Sequence, residues 1–262
     1  MSSLHRLFGI GIFVCAFLAG SWAWAESEPV AVVSPDGRLK VDFRLDERNA
    51  PALEVAVGGQ PIANARLGLL FKEGGPLAAN FRIVNSARAS RDETYVIPVG
   101  KASSSRNHYN EMVVSLEEAE GAHRKLEIAI RVFDDGVAFR YVIPQQAGLA
   151  DFVLTDELTR ITFVGDPTTR ALPLKNYTTS YENYYESPRV SEIGPDRLFG
   201  MPILLKSDAT GAASPTWMAV TEANLTDYAG MYLSGVAGEP GTLISKLSPL
   251  PGRNDGAKVI GK

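Results

Sequence analysis

Cysteine is almost missing from this chain: among 262 residues only Cys15 carries a thiol. It sits within the first 25 residues, so the remainder is built without disulfides or thiol chemistry and needs an ordinary apolar core. Histidine is nearly as scarce, and only His108 and His123 lie beyond that opening stretch. Two are too few for a histidine-rich zinc site, which leaves oxygen ligands as the means of holding a metal. A basic cluster is missing too. The formal net charge is −4, with lysines and arginines dispersed, so there is no electrostatic footprint for nucleic acid. No serine–histidine–acid arrangement, phosphate-cradling glycine loop or nucleotide fingerprint is present.

Long apolar runs are absent as well. The one candidate, FGIGIFVCAFLAG at 8–20, falls short of the ~18–20 residues that span a bilayer as a helix. His5 and Arg6 precede it and Ala23-Trp24-Ala25 follows, the layout of a secretory signal peptide with an A-x-A cleavage site. The expectation is a signal peptide over 1–25, a mature chain from about Glu26, export to the periplasm and no stable membrane anchor. About 235 residues then remain, enough to bury a core as one large β domain.

Short apolar segments alternating with polar residues, punctuated by turn formers, fill that remainder and predict an all-β sandwich or barrel. Ser34-Pro35-Asp36-Gly37 reads as a β-turn between runs at 31–33 and 39–45, because proline presets φ and glycine accepts a positive one. Further runs fall at 53–57, 67–71, 81–84, 95–99 and 111–116, then 160–164, 201–206, 217–221, 231–234 and 242–247. The clearest hairpin covers 126–143, with Leu126, Ile128, Ile130 and Val132 on one face and Val137, Phe139, Tyr141 and Ile143 on one face of the next strand. Asp134-Asp135-Gly136 joins them, with Gly136 expected in the left-handed conformation. Helical periodicity is confined to a weak, charged window at 115–126. Residues 207–215 read as an exposed loop, and from Ser248 onward no core-forming pattern is visible.

One stretch does not fit a core at all. YTTSYENYYES, residues 177–187, holds four of the nine tyrosines together with Glu182 and Glu186. It contains no leucine, isoleucine, valine or methionine. Phenols offer a flat apolar face with a polar tip, and carboxylates are the usual charged ligands of calcium.

Four segments carry a family resemblance: VSPDGRLKVDF (33–43), RNHYNEMVVSL (106–116), RVFDDGVAFRYVIPQQ (131–146) and EANLTDYAGMYL (222–233). In this order they resemble the N-terminal domain of glycoside hydrolase family 97, a family of exported bacterial α-glucosidases and α-galactosidases. The resemblance implies an all-β, galactose-mutarotase-like β-super-sandwich of mainly antiparallel strands. It also implies a domain over 26–247, followed at 248–262 by a connector toward a (β/α)8 catalytic barrel. A barrel needs ~250 residues, so the chain is expected to lack it and with it every catalytic residue, and to be inactive alone. The resemblance further implies that one glutamate crosses to the barrel and ligates calcium. Counting back from Arg189-Val190-Ser191-Glu192-Ile193 selects Glu182, with Glu186 the remaining alternative.

Arg106, Asn107, His108 and Tyr185 are the corresponding candidates for contact with an α-linked carbohydrate, although a turn preceding a strand explains the first three as well. Asp134 and Asp135 resemble a glycosidase carboxylate pair, but their place in a tight hairpin accounts for them. Glu222 fits a buried hydrogen-bonding role as readily as a site role. The rival expectation is a stand-alone carbohydrate-binding or interaction module in which the tyrosines form a stacking platform.

Overall fold

Alternation of buried and more exposed side chains is clearest in β2 (Leu39–Leu45) and in the inner half of β8 (Ser104–Glu118) of the computed structural model, which describes residues 30–208 and 215–261. The expected signal peptide at 1–25 lies outside the described residues. The chain opens with β1 (Val30–Val33), β2 (Leu39–Leu45), β3 (Pro51–Val57), β4 (Gln60–Arg66), β5 (Leu69–Phe71) and β6 (Pro76–Leu77). Two long strands follow, β7 (Phe81–Val96) and β8 (Ser104–Glu118), then β9 (Lys125–Phe133), β10 (Val137–Val142), β11 (Phe152–Glu157) and β12 (Arg160–Phe163). The last six are β13 (Thr168–Leu174), β14 (Leu198–Lys206), β15 (Trp217–Val220), β16 (Met231–Gly235), β17 (Thr242–Leu247) and β18 (Val259–Gly261).

These strands form three sheets, antiparallel throughout. A ten-stranded sheet runs β1-β2-β3-β4-β12-β17-β16-β14-β13, with β15 paired to β14. Two four-stranded sheets, β10-β9-β8-β7 and β18-β11-β5-β6, complete the fold. This is the expected super-sandwich. One apolar cluster joins Val41, Phe43 and Leu53 of the large sheet to Met112, Val114, Ile128 and Ile130 of the second and Leu154 of the third. A second cluster, around Phe199, Ile203, Leu205, Leu233 and Leu243, continues along the same face, because Met231 belongs to the first and Leu233, two residues on, to the second. Leu172, Leu174 and Tyr232 form a third cluster; Tyr232 alternates with Leu233, so this one lies on the opposite, outer face.

Several local expectations change. The runs at 81–84 and 95–99 belong largely to one strand of 16 residues. Its middle is polar because the β7–β8 hairpin extends beyond the core, where water rather than apolar packing surrounds it. The charged window at 115–126 is the close of this hairpin with β9, and Glu118 and Arg124 form a buried pair at 2.6 Å across it. Arg124 also donates to the carbonyls of Gly74 and Pro76, tying that turn to the third sheet. Gly136 does not adopt the expected left-handed conformation. None of Asp134, Asp135 and Gly136 has a positive φ, and the turn closes through the Phe133 amide donating to the Gly136 carbonyl. Asp134 instead accepts the amide of Asp36 at 2.9 Å, joining two turns far apart in sequence. Residues 248–262, read as lacking a core pattern, include β18, which pairs with β11, and Ala257 and Val259 are buried. A strand this short shows no readable alternation.

Candidate functional site: a pinned acidic tyrosine loop

The tyrosine-rich stretch is an excursion that leaves the edge strand β13 and returns to it. The Glu186 amide donates to the Ala171 carbonyl at 2.9 Å, the Ala171 amide donates to the Glu186 carbonyl at 3.0 Å, and the Thr169 amide donates to the Pro188 carbonyl at 2.8 Å. The return segment therefore covers the otherwise open edge of the large sheet, a common remedy for unpaired strand edges. Beyond it, a single 3₁₀ turn at Val190–Glu192 buries Val190 and Ile193 in the second cluster. Glu192 caps this turn by accepting the Arg189 amide at 2.8 Å. Asp166 accepts from the Ser191 amide and hydroxyl.

Within the excursion the tyrosines divide into two roles. Tyr177 packs edge-on against Tyr232, with centroids 5.1 Å apart, and the Lys258 ammonium lies 5.4 Å from its ring centre. Tyr181 rests on Gly200, where an added Cβ would come within 2.9 Å of the tyrosine ring. Burial, with the Tyr232 hydroxyl beside it, pushes the Tyr181 hydroxyl up to about 12, so it remains a neutral donor at neutral pH. Tyr184 and Tyr185 point outward, 92% and 61% exposed. Anchors on one side hold an open aromatic surface on the other.

The two glutamates are distinguished just as sharply. Glu186 is held in the returning edge and its carboxylate pairs with Arg197 at 2.5 Å. Glu182 is exposed, and no hydrogen bond or ion pair reaches its carboxylate among the described residues. No group of three or more histidine, cysteine, aspartate or glutamate side chains able to hold a metal occurs among those residues. Glu182 thus offers a single open carboxylate, a donor type that suits calcium, with no such cluster completing a site among the described residues.

Arg106, Asn107 and His108 are not part of this loop. They lie on β8, whose Asn110 donates to the Val33 carbonyl of β1, and β1 and β13 are the opposite edges of the large sheet. Arg106 grips Asp92 with two bonds of 2.7 Å, and Asn107 donates to Glu93 at 2.9 Å. These donors brace the outer half of the hairpin. Arg106 also holds the Asp92 carboxyl below its ordinary range. His108 keeps a buried Nδ1 with no hydrogen-bond partner.

A buried polar junction was invisible in the sequence. Glu157, 6% exposed, accepts hydroxyls from Thr159 at 2.6 Å and Tyr228 at 2.7 Å. The Tyr141 hydroxyl meets Thr159 at 2.7 Å and accepts the Gly68 amide. Glu222, half-buried, accepts the Met231 amide at 2.8 Å, a hydrogen-bonding role that was one of the two expected of it. Tyr228 and Glu222 thereby fasten the 221–230 loop beside Tyr181 and Tyr232. Thr159 is a near neighbour of Glu157, but Tyr228 lies 71 positions away and Gly68 lies 73 from Tyr141, so no local spacing marks the junction.

The fold is thus an antiparallel super-sandwich with one open carboxylate, Glu182, and two outward tyrosines on an edge loop pinned to β13. Comparison with known proteins gives it a family. The glycosyl-hydrolase 97 N-terminal profile matches residues 32–258, and the chain belongs to that family. A retaining alpha-galactosidase of Bacteroides thetaiotaomicron is 26% identical over 231 residues, covering 85% of this chain and 32% of the relative. A probable retaining alpha-galactosidase of Streptomyces bingchenggensis is 31% identical over 146 residues, 55% of this chain and 22% of the relative. Among solved structures, a glycoside hydrolase family 97 enzyme from Pseudoalteromonas sp., in complex with acarbose, superposes with a TM-score of 0.78 at 25% identity. That match covers 89% of this chain and 33% of the enzyme. A beta-arabinopyranosidase superposes with a TM-score of 0.74 at 25% identity, over 88% and 37% of the two chains. The chain spans about a third of the length of these enzymes.

Proposed function

We propose that this chain works as the N-terminal domain of an exported glycoside hydrolase that cleaves terminal α-glucosidic or α-galactosidic bonds. The edge loop at 177–187 is the part that faces a catalytic (β/α)8 domain and its α-linked substrate. Glu182 supplies one carboxylate to a calcium site completed by that domain. When bound, calcium acts there as a Lewis acid and orients the sugar. Tyr177 and Tyr181 hold the loop, while Tyr185 presents its ring to a sugar or to the domain interface.

The observation that carries this reading is the contrast between Glu182, which has no partner among the described residues, and Glu186, which Arg197 occupies. A carboxylate left open on a loop held by its own edge pairing is ready to serve a ligand from outside. The test combines the chain with a family 97 catalytic domain. Glu182→Gln should lower kcat/KM by about tenfold or more, as loss of a charged calcium ligand does, and calcium titration should show weakened binding. Glu186→Gln should change both little. Activity indifferent to Glu182→Gln removes it from the site.

A further inference from the structure

The outer face of the large sheet carries a second surface that the calcium reading leaves unused. Along β14, Pro202, Leu204 and Lys206 are exposed while Ile203 and Leu205 are buried. Register with β15 sets Leu204 opposite Ala219 and Lys206 opposite Trp217, and both β15 residues are exposed. Register with β13 sets Arg170 opposite Leu204. Directly opposed side chains share a face of the sheet. At the near end of the same face Tyr181 covers Gly200, which alternates in phase with Leu204 and Lys206.

Two rings therefore bracket this surface, Tyr181 at 53% and Trp217 at 55% exposure. Between Gly200 and Lys206 the strand covers at most ~20 Å. The floor is low, made of Pro202 and Ala219, with Leu204 as its one large aliphatic side chain. Lys206 places its ammonium 5.5 Å from the Trp217 ring centre, steadying an indole that would otherwise be costly to leave in water. Neither Lys206 nor Arg170 forms an ion pair among the described residues, so both keep N–H donors for an occupant.

We propose that this face is a second, non-catalytic binding surface for an oligosaccharide. Aromatic rings stack on the C–H faces of pyranoses, and ammonium and guanidinium groups donate to their hydroxyls. Two stacking points separated along a strand select a chain of sugars over a single one. A protein partner would be expected to meet more apolar area than Leu204 and two rings provide. The proposal rests on the reading above only for the class of ligand, and it is independent of the role of Glu182.

Trp217 is its own reporter. The chain has three tryptophans, so the 262-residue chain carrying Trp22→Phe and Trp24→Phe retains Trp217 as its single indole. Titration with maltoheptaose or the α-galactoside stachyose should change its fluorescence along a saturable curve. At least one of these should bind about tenfold more tightly than its short counterpart, maltose or melibiose, because the second ring engages only the longer chain. Calorimetry on Trp217→Ala, an exposed position whose loss should leave Tm unchanged, should show binding reduced at least tenfold, with Glu182→Gln unaffected. No saturable binding of either oligosaccharide would overturn the proposal. So would binding that survives Trp217→Ala, and so would a Trp217→Ala defect seen only in association with the catalytic domain.

Discussion

Glu182 and Glu186 are separated by three residues and carry the same side chain, yet one is open to solvent and the other is tied to Arg197. Family spacing could select Glu182 with Glu186 as alternative; only the fold shows what Glu186 is doing. Glu157 makes the same point in the interior. Burial, foremost, raises its carboxyl above the ordinary value of 4.5, against the hydroxyls of Thr159 and Tyr228, which favour the charged form. An acid whose pKa is raised on folding holds its proton more tightly in the folded state. Stability is then undiminished below the unfolded value and falls as pH rises from about 4.5 through the folded value. Glu157→Gln keeps a side chain able to bond both hydroxyls and removes this ionisation. Its Tm should fall less than that of the parent chain between about pH 4 and pH 7; parallel curves would show that Glu157 ionises without cost. Nothing near Glu157 in sequence marks it as buried, since Tyr228 lies 71 positions away.

At the scale of elements, strands with one face in the core were legible and the rest were not. β2 is found at the predicted residues because Leu39, Val41, Phe43 and Leu45 alternate with Lys40, Asp42 and Arg44. The β9–β10 hairpin was equally plain. The middle of β7, between the runs read at 81–84 and 95–99, was missed because cross-strand polar contacts such as Arg106 with Asp92 hold it where no apolar stripe is needed. The 3₁₀ turn at Val190–Glu192 offers a steric test of how the edge loop is anchored. Gly235 of β16 lies so close to it that an added Cβ would stand 1.7 Å from the Ile193 carbonyl oxygen. Its φ is not positive, so alanine is excluded by space and not by backbone preference. Gly235→Ala should cost about 3 kcal/mol, at the upper end of overpacking effects. It should also speed proteolysis within 177–193. A denaturation midpoint within error of the parent would mean the turn can shift freely.

For the whole molecule, three antiparallel sheets bring distant segments into one body, and β18 shows the reach of that assembly: Val259 and Ala257 join a core whose other members begin at Val32. Glycoside hydrolysis uses a pair of carboxyl groups across one bond, whereas on the exposed loop Glu182 stands open and Glu186 is engaged. The purified 262-residue chain should therefore release no nitrophenol from aryl α-glucosides or α-galactosides, and calorimetry should find calcium held no more tightly than about micromolar. Turnover that follows the protein through purification would overturn this. The sequence by itself determined the β class, the main hairpins and the family, because alternation and turn chemistry act over a few residues and leave a local pattern. Which carboxylate stays open, which tyrosines turn inward, and that Arg106 lies on a different sheet from the edge strand that carries the Tyr185 loop were decided by tertiary structure alone. Those outcomes depend on partners such as Arg197, Gly200 and Tyr232, which only the folded chain brings within reach.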